Sequence, residues 1–321
     1  MTKKYLFIIS ILLSTFSISY TQTAIHQWTT HAPAMKVIGV DMMKEKIFAA
    51  TPYEVFYYNT IDNSINKLSK VNGLSDFGVS VIRHNPHTNH IFVGYSNANI
   101  DLIDNNDNVI NINDIKNKNI IGTKTINDVY FIDHLAYVCC SFGIVVVDMN
   151  RKEIHDTYII GKNGTYVNVN DITLYDNKLY AATSNGVYYA DYPNEHLADF
   201  SQWTLDTSMQ HHDINYSEIE TFNNKLYANY SSNQWYSDSL FVYDGETWDY
   251  YDKSAASIKR EIKAYEDRML FVEHYSARVV DVNNKTIVRF TSIEPFAGIY
   301  DKNRNVYWIG DATNSLIKTT N

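Results

Sequence analysis

Leu179-Tyr180-Ala181-Ala182-Thr183 is a short strand phrase that the chain writes seven times with small changes. Before it stand Ile47-Phe48-Ala49-Ala50-Thr51, Ile91-Phe92-Val93-Gly94-Tyr95 and Ala136-Tyr137-Val138-Cys139-Cys140. After it come Leu226-Tyr227-Ala228-Asn229-Tyr230, Leu270-Phe271-Val272-Glu273-His274 and Val306-Tyr307-Trp308-Ile309-Gly310. The first residues of the copies lie 44, 45, 43, 47, 44 and 36 positions apart. A period of roughly 40–45 residues filled with short strands marks a β-propeller, one four-stranded blade per repeat. The expected fold is all-β: a seven-bladed β-propeller.

The repeat around the quoted phrase spells out the unit. Residues 169–174 read as a first strand, and Tyr175-Asp176-Asn177-Lys178 reads as a turn. Residues 179–183 form the second strand, Ser184-Asn185-Gly186 a tight hairpin, 187–191 the third strand and Trp203-Thr204-Leu205 the outermost fourth. One repeat earlier, Gly143-Ile144-Val145-Val146-Val147 is continuously apolar, as a strand buried on both faces should be. The seventh repeat, from Ala297, has room for only three strands. Gln27-Trp28-Thr29-Thr30 reads like Gln202-Trp203-Thr204-Leu205 and Thr247-Trp248-Asp249-Tyr250, so the N-terminal segment is expected to supply the missing outer strand and close the ring. Burying about 200 Å2 of a Trp contributes up to ~5 kcal/mol before ordering costs, and it covers an edge prone to association.

Residues 1–21 read as a separate unit. Lys3 and Lys4 give a positive start, residues 5–18 are apolar, and Ser19-Tyr20-Thr21 offers a small-x-small site before Gln22. That is the pattern of a secretory signal peptide, too short to span a bilayer comfortably. No cysteine precedes Cys139, so no lipid anchor on a cysteine is expected at the cleavage site. Residues 22–321 are expected to form an exported propeller with no transmembrane span. A net charge of -9 argues against nucleic acid, whose binding needs a basic face. Cys139 and Cys140 are adjacent, point to opposite faces of one strand, and are expected to be buried free thiols.

No G-x-S-x-G elbow, H-E-x-x-H, Walker loop or C-x-x-C occurs. His84, His87 and His90 are three apart, yet Asn85-Pro86-His87-Thr88-Asn89 reads as the first turn of the second blade, so no metal is expected there. His211-His212-Asp213 falls in the link between blades four and five. Asp104-Asn105-Asn106-Asp107-Asn108 starts like a calcium loop but has Val109 where glycine is needed and Ile115 where the terminal glutamate is needed. Carboxylates are scattered over turns with no pair to assign as acid and base, so no enzyme activity and no cofactor is expected. The fifth-blade hairpin, 231–239, is long and carries Trp235 and Tyr236, which makes these two the candidate binding residues.

Longer phrases are more particular. Leu68-Ser69-Lys70-Val71-Asn72-Gly73-Leu74-Ser75-Asp76, Tyr95-Ser96-Asn97-Ala98-Asn99-Ile100-Asp101-Leu102-Ile103 and Asp114-Ile115-Lys116-Asn117-Lys118-Asn119-Ile120 are three of them. A fourth runs from Phe142-Gly143-Ile144 through Lys152-Glu153-Ile154-His155 to Ile160-Gly161-Lys162-Asn163-Gly164, followed by Val169-Asn170-Asp171. Together they resemble the amino-terminal propeller of the PorZ family, a component of the type IX secretion system of Bacteroidetes. The resemblance implies a protein at the cell surface, the outer membrane or the periplasm. It implies work beside a sortase-like peptidase and other outer-membrane proteins of the apparatus, binding of anionic lipopolysaccharide, and no peptidase activity of its own. Family members continue into a second propeller and a C-terminal sandwich domain, so sortase docking is expected to involve those later parts.

The competing reading is the periplasmic sensor propeller of a hybrid two-component regulator. Its recurrent Gly-Leu-x-x-x-x-Val and Trp-Ile-Gly phrases are matched once each, by Gly73-Leu74 with Val79 and by Trp308-Ile309-Gly310.

Overall fold

Seven antiparallel meanders surround a common centre in the computed structural model, which describes residues 34–232, 238–252, 258–291 and 293–320. The innermost strands, in blade order, are Gly39–Met43, Val79–Asn85, Ile126–Ile132, Val169–Tyr175, Tyr216–Phe222, Lys259–Ala264 and Pro295–Asp301. Each is followed by a strand carrying the repeated phrase: Lys46–Ala50, His90–Tyr95, Leu135–Cys140, Lys178–Thr183, Lys225–Tyr230, Arg268–Glu273 and Val306–Asp311. Among the described residues, blades one to six have four strands and blade seven has three, ending at Ser315–Thr320. A four-residue helix, Asp114–Asn117, lies in the link between blades two and three.

The turns follow their sequences. Asp176-Asn177 and Asn223-Asn224 join first and second strands with all four residues at positive φ, between 44° and 57°. Asn and Asp tolerate that left-handed backbone, which matches the twist of a two-residue hairpin.

Seven apolar clusters hold the ring, one at each blade interface. The second strand of a blade feeds both of its neighbours, because alternate side chains point to opposite faces. Cys139 packs with Ile172 and Leu179 of blade four, whereas Cys140 packs with Val81 and Phe92 of blade two. Both are buried and free, and burial pushes both thiols well up, which leaves them unreactive.

Blade one meets blade seven through Val37, Val40 and Ala49 against Ala297, Val306 and Trp308. Lys36 N–H donates to Ala312 O at 3.0 Å and Val37 N–H to Asp311 O at 3.2 Å. Gly310 permits this approach, since a Cβ there would stand 2.5 Å from Val37 Cγ1. The signal segment and the proposed closing strand around Trp28 lie outside the described residues. Deleting residues 22–31 is expected to lower the melting temperature by roughly 5–10 °C and to produce higher oligomers on a sizing column. An unchanged melt and elution volume would count against closure by that segment.

Candidate functional site: the central channel

All seven innermost strands contribute to one central cavity of 540 Å3. Asp41, Asp128, Asp171, Glu218 and Glu220 line it together with Arg83 and Lys263, and buried Glu261 meets both cations at its wall. Scattered carboxylates were the expectation from sequence, and the fold overturns it: residues one repeat apart converge because each occupies the same place on its own blade.

Local geometry explains the convergence. In blades three to six, Asp128, Asp171, Glu218 and Glu261 each sit directly after a break in register with the second strand. Such a bulge re-aims the side chain. Here the carboxylate turns sideways to the next blade, whose innermost strand has N–H groups with no partner in its own sheet. Asp171 Oδ2 accepts from Ile219 N–H at 2.9 Å, Glu218 Oε2 from Ile262 N–H at 3.3 Å and Glu261 Oε2 from Gly298 N–H at 2.8 Å. Asp41 Oδ2 accepts from His84 N–H at 2.9 Å, and Glu220 Oε2 accepts from Ala264 N–H at 3.3 Å. Asp128 instead takes Arg83 Nη2 at 2.7 Å.

The two cations span the hub. Arg83 of blade two also reaches Glu261 of blade six at 2.9 Å. Lys263 lies 3.3 Å from Glu261 and donates to Val40 O of blade one at 3.2 Å. Burial opposes the charge of Arg83, but Asp128, Glu261 and Asp41 hold its pKa above the usual value. Burial raises Asp128, against the pull of Arg83. Burial and the nearby Asp128 carboxylate raise Asp171 well above the ordinary range, and burial with Asp171 does the same to Glu218. Glu220 is pushed up to about 7, chiefly by burial. Chemically the site is a brace, its carboxylates committed to backbone donors and to the two cations.

Other residues singled out by sequence sit elsewhere. His84 lines the channel, while His87 lies exposed in the turn and His90 Nδ1 lies 2.8 Å from Thr88 O. No cluster of three metal-ligating side chains occurs among the described residues. Asp104 Oδ1 accepts the N–H groups of Asn106 and Asn108, while Asp107 bonds Lys46 at 2.7 Å and Tyr57 Oη at 2.6 Å, so this hairpin tip clasps blade one. His211 stacks on Tyr230 at 4.8 Å. Trp235 and Tyr236 lie outside the described residues.

The family model of the N-terminal β-propeller domain of PorZ, from type IX secretion, matches residues 47–204. Over that stretch, just under half of the chain, the sequence is similar to a PorZ-type propeller. PorZ of Porphyromonas gingivalis, described as an essential bacterial surface component of the type IX secretion system, superposes with a TM-score of 0.74 at 17% identity. The overlap covers 92% of this chain and 39% of that one. The extracellular domain of a candidate one-component system from B. thetaiotaomicron aligns at 0.63 and 10% identity, covering 89% of this chain and 40% of its own. A chain of the mitotic checkpoint complex aligns at 0.64 and 10% identity over 95% of this chain and 99% of its own. So wide a spread means that the fold by itself assigns no role to the PorZ-type propeller. No curated protein matches the sequence at a significant level.

Glu261→Ala removes the acceptor of Gly298 N–H and one carboxylate from Arg83 and Lys263, which keep Asp128 and Val40 O, so it should cost about 2–3 kcal/mol in urea unfolding. A loss below 1 kcal/mol would show the brace to be idle. The raised carboxylates also set a pH dependence. The native state holds protons that the unfolded chain releases, so stability should fall as pH rises from 4.5 to about 7 through Glu220. Glu220→Gln should flatten that slope, and an unchanged slope would assign it to other groups.

Proposed function

We propose that this PorZ-type propeller is a non-catalytic accessory of type IX protein secretion at the outer membrane surface. In this reading it assists the sortase-like peptidase in attaching anionic lipopolysaccharide to cargo, through protein or glycolipid contacts. The observation that carries the proposal is the match of the PorZ propeller model to residues 47–204. The engagement of the channel carboxylates by backbone N–H groups supports a non-catalytic role, because paired acids of that kind are poorly placed to attack or protonate a substrate. Export by residues 1–21 and a propeller over 22–321 belong to the same proposal. Among the described residues no helix is long and apolar enough to cross a membrane.

Deleting the gene in its native host should leave cargo with untrimmed C-terminal signals inside the cell envelope, and the intact gene should restore release. Normal cargo release would overturn the proposal. A changed transcript profile with normal release would favour the sensor reading instead. For the glycolipid contact, the purified protein should co-sediment with anionic lipopolysaccharide and not with a preparation lacking the anionic polysaccharide. Equal sedimentation with both would remove that part.

A further inference from the structure

Blade four departs from its siblings in the connection between its third and fourth strands. It runs over residues 192–203, whereas the equivalent turns 60–64, 104–108, 149–152, 244–247 and 282–285 take four or five residues. The long loop is firmly held. Tyr192 N–H donates to Asn177 O at 2.8 Å, and Asp199 N–H donates to His196 O at 2.9 Å. Asp199 Oδ1 caps a single 3-10 turn through Ser201 N–H at 2.9 Å. Buried Trp203 donates from Nε1 to Leu197 O at 2.9 Å, and both side chains join the apolar cluster of blades three and four.

Between this loop and blade three lies an open pocket of 330 Å3, which Tyr137, Tyr158, Tyr192, His155, Asn194 and Glu195 help to line. Three phenols make its wall. Tyr137 stands 6.5 Å from Tyr158 and 6.2 Å from Tyr192, ring centre to ring centre, and the second pair is edge to face at 81°. Tyr137 Oη donates to Tyr192 Oη at 3.3 Å. Burial, with Asp156 nearby, pushes Tyr158 up to about 12, so its hydroxyl stays neutral. Asn194 is fixed by His196 N–H at 2.8 Å on Oδ1 and by Gln202 Oε1 at 3.1 Å from Nδ2. One Nδ2 hydrogen and one Oδ1 lone pair remain for a ligand.

We propose that this pocket binds a neutral pyranose residue of a glycan. The volume sits at the small end for ligand sites, about 300–1,000 Å3, which suits one ring better than a folded peptide. Tyr192, half-buried, offers an apolar surface to the C–H face of a sugar. An imidazole, an amide and a carboxylate supply donors and acceptors for its hydroxyls. No Lys or Arg lines the pocket, and Glu195 disfavours an anionic ligand. A quaternary ammonium would leave Asn194 and His155 without hydrogen bonds. The proposal goes beyond the secretion role, whose glycolipid is anionic, and is read in a separate assay.

The test uses the purified chain and saturation-transfer NMR. Maltotriose, cellotriose, mannotriose and triacetylchitotriose are offered beside sialyllactose, choline and decaproline. One neutral trisaccharide should bind saturably. Tyr192→Ala and Glu195→Ala should each weaken it about tenfold, the loss of roughly one good contact, while Tyr192→Phe keeps most of the affinity. Phe200→Ala, in the same loop but outside the pocket lining, should change nothing. Glu195 is exposed, so its variant is expected to fold as the parent does. Absence of any neutral sugar, saturable binding of sialyllactose, choline or decaproline instead, or sugar binding indifferent to both alanine variants would overturn the assignment.

Discussion

The inner edge of every blade presents backbone N–H groups to a shared cavity, and satisfying them is the constraint around which the centre is built. An unpaired amide away from bulk water costs about 1–3 kcal/mol, while an ordinary hydrogen bond contributes about 0.5–1.5 kcal/mol. The chain answers with carboxylates borrowed from the preceding blade. Each bulged Asp or Glu ties two sheets that share no ladder hydrogen bond. The solution gathers acidic groups at one point, and Arg83 and Lys263 pair with Asp128 and Glu261 there.

Polar centre and apolar interfaces divide the labour. The seven clusters supply burial, which is large and has no preferred direction. The carboxylate bonds supply direction, fixing the inner strands of blades one and two, and of blades four to seven, against their neighbours in one register. Second strands therefore have to be apolar on both faces, and Val138, Cys139 and Cys140 are wholly buried for that reason. Small residues set the spacing where blades come closest. Gly94 shows this, because a Cβ there would lie 2.7 Å from Val81 and 2.9 Å from Ile126.

Much of the architecture is legible in the residues alone. The Leu179–Thr183 phrase and its copies mark the second strands, and the Asp176-Asn177 pair marks a turn that is found with both residues at positive φ. The opposite destinations of Cys139 and Cys140 follow from strand alternation alone. The carboxylate hub was missed, because Asp128, Asp171, Glu218 and Glu261 are remote in sequence and look like loop acids one at a time. A signal was present: each is followed by Val or Ile and recurs in phase with the repeat. The pocket beside residues 192–203 was missed for another reason. Trp203 identified the outer strand, but the length of the connection before it carries no chemistry until Tyr192 and Asn194 are set against Tyr137 and His155.

Stacked repeats in an open row feel only their neighbours, so such a row can lose one unit at a time. Lys263 and Val40 are 223 positions apart, and Arg83 finds Glu261 only across the hub. A nascent chain holding blades one to five leaves that guanidinium short of its second counter-ion and that carbonyl without its ammonium donor. The half-made wheel is thus electrically distinct from the finished one, and its spokes lock only when the sixth arrives.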